Sequence, residues 1–228
     1  NIITQNYGSW VLLGQVITDL DLEIDTPLKK NCGSCVRCID DCPTGAIVAP
    51  YVIDNSKCIS YLTIELKGSI PRNMRHLIGD WVFGCDICQE VCPVNRKAKV
   101  GNSNEFKERT GFGLPELVPI LEMDQATFSK VYRNSPIKRA KLMGLKRNAC
   151  VALGNSGDPN AIGPLAKALR NEEPIVKIHA AWALGRIGGK EAYKVLLEES
   201  NNKNITEVKE EISASLKDLE LVNNDFDN

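Results

Sequence analysis

The pattern of apolar positions changes character along this chain. From Trp10 to Ile17, "WVLLGQVI", apolar residues run almost unbroken and predict a strand or a buried helix, with a shorter apolar run before residue 30. Residues 31–97 hold no sustained period; Cys, Gly and Pro break them up and predict turns. The following stretch, "AKVGNSNEFKERTGFGLPELVPILEMDQATFSK", is punctuated by Gly and Pro and predicts a connector ending in a short helix. From Val131 the texture becomes Ala- and Leu-rich with helical periodicity.

That last region repeats itself. "RNACVALGNSG" (Arg147–Gly157) matches "IHAAWALGRIG" (Ile178–Gly188) at a period of 31 residues. Each copy is followed by a Pro- or Gly-marked turn and a second amphipathic segment, "NAIGPLAKALRNEE" and "KEAYKVLLEES". Paired helices at such a period predict an α-solenoid unit of the HEAT type. Two copies are few for a free solenoid, so packing against the cysteine region is expected. From Asn201 the chain turns polar; it is expected to start as helix and to end disordered at "NNDFDN".

Length allows one large domain or two small ones among 228 residues. A net charge of −1 names no partner. No run of about 18 apolar residues predicts a membrane span. The N-terminus has neither a basic leader nor a signal cleavage site. It also lacks Met and opens as if inside a domain, which points to a fragment or a proteolysed product.

Nine cysteines change the picture more than charge does, and eight of them lie between Cys32 and Cys92. Cys32, Cys35, Cys38 and Cys42 in "CGSCVRCIDDCP" follow the bacterial ferredoxin run C-x2-C-x2-C-x3-C-P, in which the fourth cysteine serves the other cluster. "CDICQEVCP" (Cys85–Pro93) echoes only part of it. Pseudo-symmetry then assigns Cys32, Cys35, Cys38 and Cys92 to one [4Fe–4S] cluster. The second takes Cys42, Cys85 and Cys88, and Cys58, the one cysteine left in the region, as a displaced fourth ligand. The bland reading is two four-thiolate zinc sites, but zinc ribbons pair two C-x2-C knuckles and do not use a triple run with a trailing Cys-Pro. A secreted disulfide scaffold fits poorly with such close spacing, so the compartment is expected to be reducing. Cys150, alone in "RNACVALG", is expected as a small buried residue. With every iron ligand assigned, both clusters read as electron wires to an acceptor that cysteine counting does not identify.

"GSWVLLG", "CISYLTIE", "FGCDICQEVCP", the inserted loop from Cys58 to Asn95 and the trailing helical pair together resemble the epoxyqueuosine reductases. These enzymes make queuosine in tRNA in its last step, and the likeness covers essentially the whole chain. It implies an α+β fold: a ferredoxin-like 2×[4Fe–4S] domain with C-terminal HEAT-like repeats, preceded by the end of a cobalamin-binding α/β domain. The organisation expected is then 1–30 for the end of the cobalamin domain, 31–100 for the cluster domain and 101–130 for the connector. Residues 131–200 would form the tRNA-binding repeats and 201–228 a polar tail. The resemblance implies reduction of epoxyqueuosine to queuosine in the wobble position of tRNA. Electrons would pass from a reduced flavodoxin or ferredoxin-type donor through both clusters to cobalamin. There Co(I) acts on the epoxide and a protein carboxylic acid gives the proton. A cytoplasmic monomer is expected. That proton-donating Asp belongs before Asn1; Asp19 and Asp21 do not match its motif, no catalytic residue is assigned here, and the chain alone is expected not to turn over.

Residues flanking Cys58 and the "YGSW" lead-in are the cobalamin-facing candidates: Gly8, Ser9, Trp10, Asp19 and Ser60 to Glu65. Against these roles stand a core position for Trp10, and capping or salt-bridge roles for Thr63 and Glu65. Between Val131 and Gly157 lie six basic residues and no acidic ones: Arg133, Lys138, Arg139, Lys141, Lys146 and Arg147. With Asn148 they read as an RNA-binding face, set against a merely solvated one. Arg72 and Arg75 in the inserted loop either meet RNA phosphates or neutralise cluster charge. His76, His179 and Trp182 are expected to be structural. A competing class is a non-catalytic 8Fe ferredoxin-like module whose repeats dock a protein; a cobalamin-dependent dehalogenase relative fits less well, since it has no reason to carry basic repeats.

Overall fold

The computed structural model describes residues 1–29, 31–99, 101 and 116–224. Residues 1–29 form no helix or strand. The strand or buried helix predicted at Trp10–Ile17 is absent: Leu12, Leu13, Val16 and Ile17 are exposed, Ile17 fully at 101%. A run that is apolar on every side needs cover on every side to become regular structure, and nothing described in this chain supplies it. Trp10 is likewise half in solvent rather than a core aromatic.

The cysteine region is built from short pieces. α1 (Arg37–Asp40) leads into a hairpin of β1 (Ile47–Ala49) and β2 (Val52–Ile53), antiparallel, with Ile47 opposite Ile53 and Ala49 opposite Val52. Tyr51 turns it in the left-handed region at φ 65°. This hairpin is the whole strand content among the described residues, so the expected α+β class reduces to a mostly helical chain. Asp54 caps a 3-10 turn, Asn55–Lys57, by accepting from the Ser56 amide at 3.0 Å. The inserted loop follows, with a π-helical turn Tyr61–Glu65, α2 (Arg72–Arg75) and a return to α3 (Ile87–Glu90).

The remaining helices are α4 (Leu117–Glu122), α5 (Gln125–Val131), α6 (Lys141–Ser156), α7 (Ile162–Asn171), α8 (Pro174–Ile187), α9 (Gly189–Ser200) and α10 (Thr206–Asn224). The two matched repeat segments fall in α6 and α8, which lie side by side with α10 as an inner row; α4, α7 and α9 cover them. Small residues set the spacing. A Cβ on Gly154 would come within 2.8 Å of the Ala183 Cα, so α6 and α8 meet backbone to backbone. Gly157, at φ 67°, ends α6 in the left-handed region that glycine favours.

Two expected boundaries change. In place of a bare connector, α4 packs onto α6 and α7, and Phe128 of α5 joins the shared core; residues 102–115 of that expected connector lie outside the described residues. The expected polar tail contains α10, which buries Val208, Ile212 and Ser215 against α8 and α9. Its expected disordered end lies outside the described residues from 225 onward. Among the described residues no helix is long and apolar enough to cross a membrane.

Candidate functional site

The two cysteine loops are copies of one another at a constant offset. Val36 precedes α1 at φ −119°, ψ 8°, and Asp86 precedes α3 at φ −110°, ψ 7°. The Val36 carbonyl accepts from Ile39 and Asp40, and the Asp86 carbonyl accepts from Gln89 and Glu90. Cys42 donates its amide to Ile39, as Cys92 does to Gln89; the Cys42 and Cys92 carbonyls then accept from Gly45 and Asn95. Each helix ends at a Cys-Pro step, and α1 packs against α3. Cys35, Cys38 and Cys42 thus correspond to Cys85, Cys88 and Cys92. The partner of Cys32 is Val82, so the missing thiol has a definite address.

All nine cysteines are free thiols. Burial raises the Cys85 thiol above its ordinary value, with Cys88 and Cys58 adding to the shift. Burial also raises Cys88, where Cys58, Cys38 and Cys42 add to it. Cys38, Cys42 and Cys58 all add to the shift at Cys88, so the thiols of both loops and Cys58 share one neighbourhood. The Cys42 sulfur accepts the Ala46 amide at 3.3 Å. Among the described residues no three His, Cys, Asp or Glu side chains gather tightly enough to hold a single metal ion. Seven soft thiol donors on two helix-entry loops, with Cys58 on the segment between them, fit a pair of iron–sulfur clusters. Cys150 lies fully buried in α6, with burial pushing its thiol far up.

The inserted loop is closed at its neck. The Ser60 hydroxyl donates to the Cys85 carbonyl at 3.5 Å, and the Gly84 amide donates to Thr63 Oγ1 at 2.9 Å. Beyond the neck, side chains from the inner helix row hold the loop. Arg147 donates to the carbonyls of Leu62, Leu66 and Gly68 at 2.7–2.8 Å. Asn148 Nδ2 donates to Thr63 O at 2.7 Å and Val82 O at 2.8 Å. Asn155 donates to the carbonyls of Arg75 and Gly79. His179 Nε2 accepts the Ile70 amide at 3.1 Å while Nδ1 donates to Ile175 O, so the ring is neutral; burial holds its pKa well below the usual value. Glu211 in α10 receives Arg72 at 2.8 Å and Arg75 at 2.9 Å.

These contacts correct several expected RNA ligands. Arg147 and Asn148 are each 1% exposed, and Lys146 is buried against Glu172 at 2.5 Å. Arg75 is buried, donates to Ile70 O and sits over the Trp182 ring at 5.8 Å. Their charges and donors are taken up by loop carbonyls and carboxylates, and none faces solvent. Arg72 is half-buried between Glu211 and Asp218. Arg133, Lys138, Arg139 and Lys141 are exposed, with Arg139 paired to Glu65 at 2.6 Å.

Among the cobalamin-facing candidates, Gly8 and Ser9 turn inward. Ser9 N donates to Asn95 Oδ1 at 2.6 Å and its hydroxyl bonds Gln89 Oε1. Gly8, at φ 66°, has no room for a Cβ beside Asn95. Both fasten the N-terminal segment to the cluster module. Thr63 is wholly buried and donates to Ile59 O. Asp19 and Trp10 are exposed, and Ser60 is half-buried. Sequence reasoning missed a cleft of about 400 Å³ lined by Arg72, Asn73, His76, Trp182, Arg186 and Asp218. Arg186 lies beyond the basic run on which the reading concentrated; its repeat position is that of Asn155.

A paired-loop thiol module under a row of helical repeats defines an iron–sulfur protein with an α-solenoid. Residues 31–95 match the 4Fe-4S double cluster binding domain, and residues 144–217 match HEAT repeats. The chain is a homologue of the epoxyqueuosine reductases. It is 40% identical over 185 residues to the epoxyqueuosine reductase of Salmonella typhimurium, covering 81% of this chain and 48% of that protein. The structure of epoxyqueuosine reductase from Bacillus subtilis superposes with a TM-score of 0.85 at 32% identity, over 96% of this chain and 59% of that one. An epoxyqueuosine reductase crystallised with an epoxyqueuosine-modified tRNA-Tyr stem loop gives a TM-score of 0.78 at 31% identity, over 87% and 53%. The chain spans about half the length of the curated relatives it matches.

Proposed function

We propose that this chain is the electron-delivering and RNA-seating part of an enzyme that reduces epoxyqueuosine to queuosine in the wobble position of tRNA. The observation that carries the reading is the address of the missing thiol. Position 82 holds Val where the repeat demands Cys, the Cys58 thiol is near enough to add to the upward shifts of Cys85 and Cys88, and the intervening loop is seated on the helical repeats. Cys32, Cys35, Cys38 and Cys92 hold one cluster; Cys42, Cys58, Cys85 and Cys88 hold the second. Cobalamin, when bound by the preceding domain, supplies the reductive chemistry at the epoxide.

The chain's own residues do three things in this scheme. The thiolates hold the clusters in file, with Cys58 bringing the second to the side of the inserted loop. Residues 1–29, exposed and apolar at Leu12, Leu13, Val16, Leu20 and Ile24, form the end of the cobalamin domain and pack on the rest of it. Of the cobalamin-facing candidates, Trp10 and Asp19 are exposed, whereas Ser60 donates to the Cys85 carbonyl and Glu65 pairs with Arg139. Arg133 and Lys138, between α5 and α6, and Lys141, the first residue of α6, are the exposed cations that meet tRNA phosphates. A small reduced flavodoxin or ferredoxin-type carrier supplies the electrons, and the enzyme acts as a cytoplasmic monomer.

The test is an anaerobic count of iron, sulfide and cobalt on the chain with and without its N-terminal part. About eight irons per chain in both forms, and one cobalt in the joined form only, is the expected result. Zinc in place of iron, or an iron content unaffected by Cys58→Ala, overturns it. RNA affinity that does not change with salt would favour a protein-docking module instead.

A further inference from the structure

Position 82 is where the displaced ligand should have been, and its carbonyl is held by a helix of another domain. We propose that Asn148, on the first HEAT-like helix, is a positioning residue for the second cluster; this rests on the cluster assignment above. Cys58 reaches that cluster only if the segment Cys58–Thr63 lies correctly against Val82–Cys85. Two ties between those segments are internal to the loop: Ser60 to Cys85 O, and Gly84 N to Thr63 Oγ1. The third comes from outside. One Asn148 amide nitrogen donates to Thr63 O and to Val82 O and clamps the two segments together.

The clamp cannot swivel. Both Asn148 amide hydrogens are used, and its Oδ1 accepts from Arg147 Nε at 3.0 Å and from the terminal nitrogen at 2.9 Å. Arg147 in turn is held by three loop carbonyls. The amide orientation is therefore forced by its partners. Such outer partners of metal ligands typically change metal retention about 10- to 100-fold when removed. Asn155 offers an internal comparison. It has the same side chain, on the same helix, and likewise donates to two carbonyls of the same loop, but at Arg75 and Gly79, neither of them next to a cysteine in sequence.

The experiment uses the full-length holoenzyme and three variants: Asn148→Ala, Asn148→Asp, which is isosteric but cannot donate, and Asn155→Ala. Each is purified anaerobically, reduced stepwise, and followed by electron paramagnetic resonance and by loss of cluster absorbance in air. Both Asn148 variants are expected to lose one cluster signal about tenfold faster than wild type, with the other signal retained; Asn155→Ala is expected to keep both at the wild-type rate. Equal loss in all three variants, or no selective loss in either Asn148 variant, overturns the inference. A wild-type protein without two cluster signals sinks the cluster assignment itself, which is a different outcome.

Discussion

Arg147 carries a sharp energetic prediction because its surroundings are fully specified. Its guanidinium is 1% exposed, has no carboxylate partner among the described residues, and serves three main-chain carbonyls. Burial pulls its pKa from 12.5 to about 10, so it is still cationic at neutral pH. At ~1.4 kcal/mol per unit, that burial opposes folding by about 3–4 kcal/mol. The three carbonyls offset it: each would otherwise be a buried acceptor without a partner, worth about 1–3 kcal/mol. Replacement by Met relieves the desolvation and strands the carbonyls, for a net loss of about 2–4 kcal/mol, in line with breaking a buried charged network. Because the clusters prevent simple two-state unfolding, the assay is native-state hydrogen exchange of the anaerobic holoprotein. Amides of the inserted loop should lose protection by about 30- to 1,000-fold at ~1.4 kcal/mol per decade, with α9 and α10 unchanged. Arg147→Lys, with one compact head group, should fall between. Unchanged loop protection in Arg147→Met would refute the reasoning.

Three further outcomes are expected. The double variant Lys138→Ala, Lys141→Ala should lower the slope of log affinity for tRNA against log salt by about 1.5–2, read from binding titrations at several salt concentrations. His179 is neutral when folded and titrates below its unfolded value, so as pH falls below about 6.5 the unfolded chain takes up the proton first and stability drains away. His179→Gln keeps an acceptor for the Ile70 amide and should flatten that acid loss, seen as a loop exchange rate no longer dependent on pH after correction for intrinsic chemistry. Cys150→Ala should leave iron content unchanged while Cys58→Ala lowers it, measured on anaerobically purified protein.

The cysteine architecture is legible in sequence because cluster ligation is a matter of spacing. The offset between the loops carries through to equivalent dihedrals and hydrogen bonds, while the role of Cys58 rests on the proposal that it replaces the thiol missing at Val82. The helical repeat is legible for a similar reason: its 31-residue register places Gly154 and Gly185 at equivalent close approaches, to Ala183 and Ser215. The direction of the basic side chains is not legible in the same way. "LKRNAC" reads as a charged helix surface, yet Lys146, Arg147 and Asn148 are all buried. What decides their direction is the demand of the inserted loop, a succession of turns too irregular to satisfy its own main chain. Its carbonyls at Leu62, Thr63, Leu66, Gly68, Ile70, Arg75, Gly79 and Val82 each take a side-chain donor.

The register itself held a usable signal. Asn148 and His179 occupy the same repeat position, on the Ala-rich inner face where a polar side chain must find a partner or be expelled. Reading His179 as structural therefore implies the same of Asn148. The third member of the row, Glu211, was hidden because "KEEISASLKDLE" reads as a polar tail when α10 is not recognised as the next inner helix. Asn148, His179 and Glu211, one from each of α6, α8 and α10, all reach the inserted loop. The repeats therefore act as a scaffold for the inserted loop that follows Cys58, the proposed displaced ligand, and the exposed cations Arg133, Lys138 and Lys141 remain for the proposed contact with RNA. A chain that moves one thiol out of a symmetric module must support the detour with donors and acceptors from elsewhere, and here the inner faces of three successive helices supply them.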